Sequence, residues 1–458
     1  MAIETWLPAL LGYLIPTGVF LLAWGGMEPR RARRAATVGL LALALAVVGY
    51  FATGFAFHLG GAGWMSDDSA LAGLRAILGR DGDADWGMIG LTGFFLAGGV
   101  EGDPLTPEAL ALFVNYVPLV ATSVLLVVLS VHGRARAWQM ALGGLLVGAV
   151  LFPIAACWAW GGGWLAHLGL TVERGHGFVD HAGSGVVYWL GGLAALGALL
   201  GLGQRLPRRS RDEPAPMPPA HFPLLANLGA LLFGLGLLGW SMSAPFHAAG
   251  ADVNWPRAAI NMLTSAAGGI LAVQVYSYLA VGHADGLMSA RGGAAGFIAI
   301  AAGAPFVPPW AALLIGVLAG VLLPLGVFVV ERIFRLPDAT ATVALGVTAG
   351  LVGLLAVAVF ADGLTGQGWN GVGAAEYQTE AGKGVTGFFP AGQFQTGDGR
   401  GQLIAQLAGS GAIGALAFLF GLVTFYFLNL PYTRPWEAWG VPEPAEEPES
   451  EEDEPELG

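Results

Sequence analysis

Along this chain apolar residues gather in unbroken runs, and the charges fall between them. A helix rising about 1.5 Å per residue needs roughly 20 apolar residues to cross a bilayer core. The pattern predicts eleven membrane-spanning helices, over residues 6–26, 36–58, 110–131, 138–160, 181–202, 223–243, 258–281, 293–303, 310–330, 341–360 and 403–428. The eighth run is short and has the least defined limits. Pro16, inside the first run, is tolerable in a membrane helix because neighbours satisfy the carbonyl it frees. In the long loop 60–108, the stretch 85–91 is too short to span and is expected to form an interfacial helix. A hydrophilic stretch rich in Arg and Pro, 205–221, separates five runs from those that follow. That division predicts an inverted repeat with halves 6–203 and 223–360, completed by the last helix. The repeat leaves a thin trace in the sequence, an acid near the start of the fifth run (Asp180) and another near the tenth (Asp338).

Composition sharpens this reading to an all-α polytopic membrane protein. Of 458 residues 55% are hydrophobic and only 11% charged, too few charges to cover a soluble surface of this size. Of the 73 glycines 35 lie inside the runs, where they let helix backbones approach closely. The net charge of −12 is concentrated at one end: ten acids and no base lie between Glu437 and the terminus, leaving about −2 for the rest. Residues 431–458 form an acidic, Pro-rich tail expected to be disordered. Such a near-neutral body gives no footing for nucleic acid. Cys157 is the single cysteine, so neither an internal disulfide nor a thiolate cluster can form. The first run lacks the basic leader of a cleavable signal, since no Lys or Arg precedes Arg30. With the N-terminus outside, fourteen arginines fall in inner loops and six basic residues in outer ones, which by the positive-inside rule puts the tail in the cytoplasm. The membrane is taken to be the cytoplasmic one.

Candidate chemistry clusters between Cys157 and Arg205. An apolar run ends in Trp160-Gly161-Gly162-Gly163, and after a turn-rich insert Asp180-His181-Ala182-Gly183-Ser184-Gly185-Val186-Val187-Tyr188 opens the next. Asp180 is placed to cap that helix, accepting amide hydrogens at the positive end of its dipole; it is equally placed to stabilise a passing cation. Trp160 is either an interfacial tryptophan or a ring offered to a cation. No nucleophile–base spacing, cofactor motif, metal-ligand spacing or phosphate-cradling loop is present.

These residues resemble the ammonium transporter/Rhesus family. The resemblance rests on Pro153-Ile154-Ala155 before Trp160, on Asp180 to Val187, and on Gly239-Trp240. It continues through residues 310–316, Gly368-Trp369-Asn370-Gly371, Gly384-Val385-Thr386-Gly387 and residues 401–407. The matches run in order from Leu7 to Leu428. The resemblance implies eleven helices, an inverted repeat, a homotrimer with one pore per protomer, and ammonium or ammonia as solute. It also implies two mid-pore histidines, but the positions fall on Tyr188 and Gly346. The phenylalanine pair of the outer gate falls on Leu119 and Ser243, and a small hydroxyl residue that recruits ammonium falls near His247. Only Trp160 and Asp180 remain of the family's set. Tyr188 keeps a hydroxyl but does not titrate near neutral pH, so an imidazole relay is not expected; it equally serves as a plug or as repacking against Gly346. His247 is expected in or near the outer loop, either solvated or, beside Trp160, able to repel a cation when protonated. The acidic run replaces the family's tail pattern, which speaks against its usual trimeric PII regulator. The function expected is conduction of ammonium, ammonia or a similar small solute. The alternatives are a paralogue with another substrate, or a non-conducting sensor or partner subunit.

Overall fold

Helix starts in this chain are written in its caps. The computed structural model describes residues 8–65, 68–81, 84–100, 102–203, 206, 221–243, 247, 253–338, 340–365, 368–373 and 376–433. Thr106 Oγ1 accepts from Ala109 N at 3.2 Å ahead of the helix that starts at Pro107. Asn254 Oδ1 accepts from Arg257 N at 3.1 Å ahead of the helix that starts at Trp255, and Asp285 Oδ1 from Met288 N at 2.7 Å ahead of the helix that starts at Gly286. Each cap satisfies an amide the helix leaves open.

Ten helices among the described residues are long and apolar enough to cross a membrane. They are α1 (Pro8–Gly25), α2 (Pro29–Trp64), α3 (Pro107–Val131), α4 (Ala137–Trp160), α5 (Ser184–Gly201), α6 (Pro223–Met242), α7 (Trp255–Val281), α9 (Pro309–Ile333), α10 (Thr342–Phe360) and α11 (Gly399–Leu430). Between α7 and α9 lies α8 (Gly286–Ala301), shorter at 16 residues. It is buried along nearly its whole length, enclosed by α6, α7, α9 and α10. The limits differ from those expected. α2 begins at Pro29, so Arg30 to Arg34 ride on its first turns instead of in a loop. α8 begins seven residues before the expected start, at its Asp285 cap. The last helix continues to Thr433, and the acidic stretch beyond lies outside the described residues.

One expectation is overturned in type. Residues 85–91 form no interfacial helix: β2 (Ala84–Gly90) pairs antiparallel with β1 (Ile77–Asp81). Burial alternates along β2, with Trp86 and Met88 out and Gly87 in, the period of a strand. Only Gly82 and Asp83, which lie outside the described residues, separate the two strands in sequence.

Packing follows the glycines. α1 packs on α6, α2 on α4, α7 on α9 and α5 on α11. The closest approach that concerns function joins α5 to α10, where an added Cβ on Gly346 would stand 2.5 Å from the Tyr188 carbonyl oxygen and 2.8 Å from the Cα of Gly192. The two helices open alike. Asp180 is followed three residues on by left-handed Gly183 (φ 91) and then by a π-helical stretch, Ser184–Trp189. Asp338 is followed three residues on by left-handed Ala341 (φ 55), then by Thr342–Ala344 and the π-helical Leu345–Ala349. In each case the carboxylate accepts from the amide six residues on, Val186 N at 2.8 Å and Ala344 N at 2.9 Å. Tyr188 and Gly346 each lie eight residues beyond their aspartate.

Candidate transport path

At one end of the path stands Trp160, the last residue of α4, buried and donating its indole N–H to the Asp180 carbonyl at 2.8 Å. His247 stacks on its face, with centroids 4.5 Å apart and planes within 8°. His247 is thus neither solvated nor peripheral: it is 5% exposed and tied at both ring nitrogens. Nε2 lies 2.9 Å from the His181 carbonyl and Nδ1 2.8 Å from the Tyr116 hydroxyl. A carbonyl only accepts, so Nε2 carries the proton, and the neutral ring presents Nδ1 to the Tyr116 O–H. A cation binds a ring face within about 6 Å of its centroid. His247 holds that face of Trp160, and the structure therefore fills the place where the resemblance puts a recruited ammonium.

Tyr116 and Trp240 close the cluster, each with its ring centroid about 6 Å from that of Trp160. His58 meets Tyr116 edge-on at 4.7 Å, and its Nδ1 lies 2.9 Å from the Tyr50 hydroxyl. Trp369, from the loop before α11, approaches His247 at 6.0 Å and donates to the Phe178 carbonyl at 3.2 Å. Sequence reasoning missed Tyr116, His58 and Trp369 as neighbours of Trp160. For Tyr116 and His58 the signal was a polar-tipped ring inside an apolar run, which needs a partner when buried; Trp369 sits in a loop and gave no such signal. The two expected gate positions bring no ring: Leu119 is buried on α3, and Ser243 donates its hydroxyl to the Trp240 carbonyl at 2.7 Å.

Asp180 is buried, and its carboxylate accepts from three amides: Gly183 at 3.0 Å, Gly185 at 2.9 Å and Val186 at 2.8 Å. It anchors the start of α5, and its charge meets the helix dipole. The loop carrying it is strapped by two buried glutamines of α11. Gln402 receives the His176 amide at 3.0 Å and donates to the Gly177 carbonyl at 2.9 Å. Gln406 receives the Val179 amide and donates to the Val179 carbonyl, both at 2.8 Å. His176, in that loop, has its pKa pushed down to about 3 by burial, with Lys383 nearby acting in the same direction.

Midway along, Tyr188 is fully buried against Phe233, edge to face at 5.7 Å. Its hydroxyl has no hydrogen-bond partner among the described residues. It lines a cavity of about 30 Å³ together with Phe233, Thr340, Thr342, Leu126 and Gly346. The Thr340 and Thr342 hydroxyls bond to each other there at 2.7 Å. That volume holds one molecule the size of water. Gly346 contributes backbone only, at a contact with no room for a side chain.

These features define a polytopic helical membrane protein with buried polar groups strung along the contact of two helices. A sequence model of the Ammonium Transporter Family matches residues 6–437, and the chain belongs to that family. Among similar proteins, ammonium transporter Amt2 of Archaeoglobus fulgidus is 31% identical over 363 residues, 78% of this chain and 71% of that one. Ammonium transporter Amt1 of Methanocaldococcus jannaschii is 30% identical over 251 residues, 54% of this chain and 60% of that one. Among solved structures, Candida albicans Mep2 matches with a TM-score of 0.71 at 21% identity, over 94% of this chain and 85% of that one. A sensor Amt protein matches with a TM-score of 0.69 at 22% identity, over 93% and 94%. Those likenesses speak to the fold alone.

Proposed function

We propose that this chain carries ammonium or ammonia across the cytoplasmic membrane by a route that does not use a histidine pair. Membership of the family supplies the solute. The observation that supports the route is the unpartnered Tyr188 hydroxyl on a cavity of one-molecule size at the α5–α10 contact. A hydroxyl both donates and accepts, so it serves ammonia's lone pair or ammonium's N–H equally. Entry requires the solute to exchange with His247 on the face of Trp160, with Asp180 contributing its field while its oxygens stay on the α5 amides. In the same proposal the chain spans the membrane eleven times, N-terminus outside and tail in the cytoplasm, with α8 as the short eighth span. The matched aspartate-led openings of α5 and α10, and the pairing of α2 with α4 as of α7 with α9, support a five-plus-five inverted repeat with residues 1–430 as one membrane domain. The homotrimer is the assembly proposed with it.

The test is solid-supported-membrane electrophysiology on purified protein in proteoliposomes given an ammonium pulse. The native protein gives a transient current or, for neutral ammonia, a rise in internal pH read by an enclosed dye. Tyr188→Phe keeps the ring and removes one hydrogen bond of about 1 kcal/mol, lowering flux ~5-fold. The occupied face of Trp160 favours one second reading, a sensor that binds the solute without passing it. Silence in both assays, with ammonium still raising the melting temperature, would replace the transport reading by that one.

A further inference from the structure

The bundle end that carries the start of α2 and the α3–α4 turn holds a cavity of about 980 Å³. Arg30, Arg31, Arg33, Arg34, Arg134 and Arg136 line it. No Asp or Glu is among the described residues lining it. Glu28 reaches Arg31 at 3.7 Å, at a solvent-exposed pair. His132 adds its Nε2 on the Arg31 carbonyl at 3.1 Å. Burial lowers the Arg134 pKa, as does neighbouring Arg31, while Asp338 and Glu331 oppose them. Like charges gathered around one concavity raise its potential and call for a polyanion.

The helix that precedes the chain's acidic segment reaches the same end. Gln139, in the first turn of α4, donates Nε2 to the Leu428 carbonyl of α11 at 2.8 Å. Gln139 also accepts from the Arg136 amide at 2.6 Å, so the end of α11 lies beside the arginine-bearing turn. Beyond Arg434 the sequence carries ten acids and no base. A coil of about 15 residues spans roughly 20 Å, and such a tether gives an effective concentration in the millimolar range. Guanidinium forks pair carboxylates two bonds at a time.

We propose that the acidic segment from Glu437 to Glu456 docks in this arginine-lined cavity of its own chain. Tethering at its rim and complementary charge select the tail over a free anion.

Full-length protein in phosphatidylcholine nanodiscs tests this by electron–electron distance measurement between spin labels at Thr37→Cys and Ser450→Cys. The labelled chain is co-expressed with excess unlabelled chain so that distances report one protomer. Cys157 is buried and stays unlabelled. The expected result is a short, narrow distance population at about 50 mM KCl that falls at least ~5-fold at about 500 mM, as screening requires. The same loss is expected when Glu443, Glu446, Glu447, Glu449, Glu451 and Glu452 are changed to Gln, which leaves every helix untouched, and when Arg30, Arg33 and Arg34 are changed to Gln. A distribution equally broad in all of these would overturn the proposal. So would tail distances indifferent to charge combined with phosphatidylglycerol retained by native protein and lost by the arginine variant, which would assign the cavity to lipid headgroups.

Discussion

At the scale of single residues, the informative positions are those where a side chain stands in an unexpected place. His247 was readable as a histidine near an outer loop, either solvated or beside Trp160. Nothing in the sequence says that it lies flat on Trp160, because the stacking is made by long-range packing and by two hydrogen bonds to Tyr116 and His181. Gly346 was readable as a missing side chain opposite Tyr188, and the structure adds that no side chain fits. A Cβ there would overlap the Tyr188 carbonyl oxygen at 2.5 Å. We therefore expect Gly346→Ala to destabilise the folded protein by about 1–3 kcal/mol, the usual range for overpacking, and Gly346→His by more. Tyr188→Phe should leave stability nearly unchanged, because the hydroxyl it removes has no partner. Thermal unfolding in detergent measures all three, and a Gly346→His protein that melts with the native one would mean that the helices are not held in this contact.

Secondary-structure elements were legible where one physical signal dominated. Long apolar runs gave the helices because a membrane leaves the backbone no other open-ended solution. The errors came at element ends and in loops, where local chemistry outweighs hydropathy. Asp285 sets the start of α8, and antiparallel pairing with β1, together with alternating burial, makes a strand of a stretch expected to be helical. The loop before α5 depends on another element altogether. Gln402 and Gln406 were visible in the family-like stretch 401–407, but not their grip on residues 176–179. The buried state of His176 in this loop makes a prediction about pH. Its ring nitrogens have no partner among the described residues, and its pKa is pushed down to about 3. An unfolded histidine titrates near 6.5, so between about pH 6.5 and pH 3 the unfolded state binds the extra proton and stability falls as pH falls. The slope is about 1.4 kcal/mol per pH unit below the unfolded pKa. His176→Leu should flatten that part of the melting-temperature profile, and parallel profiles for variant and native protein would refute the assignment.

For the whole molecule the decisive pattern is where the cations sit. The starts of α2 and α4 bring Arg30, Arg31, Arg33, Arg34, Arg134 and Arg136 around one cavity, and the end of α11 joins them through Gln139. Leu206 donates its amide to the Arg335 carbonyl at 2.7 Å, tying the stretch after α5 to the basic turn between α9 and α10. α4 then runs from Arg136 to Trp160, which places the aromatic cluster and the Asp180 anchor at its other end. Toward that other end, Arg257 is paired with Asp362 and Lys383 with Glu380 at 2.6 Å. Six arginines gathered around one cavity at one end, against two ion-paired cations at the other, fit the bias that asymmetric insertion leaves behind. We expect the arginine-rich end to face the cytoplasm. Cysteine labelling with a membrane-impermeant maleimide decides it, since the native Cys157 is buried. Gly392→Cys lies in the loop before α11 with open space around it, and should label in intact cells. Ala284→Cys lies in the exposed turn between α7 and α8 and should label only after permeabilisation. The reverse pattern would turn the molecule over, placing His247 and Trp160 on the cytoplasmic side, and uptake would then begin at the arginines instead of at the aromatic cluster.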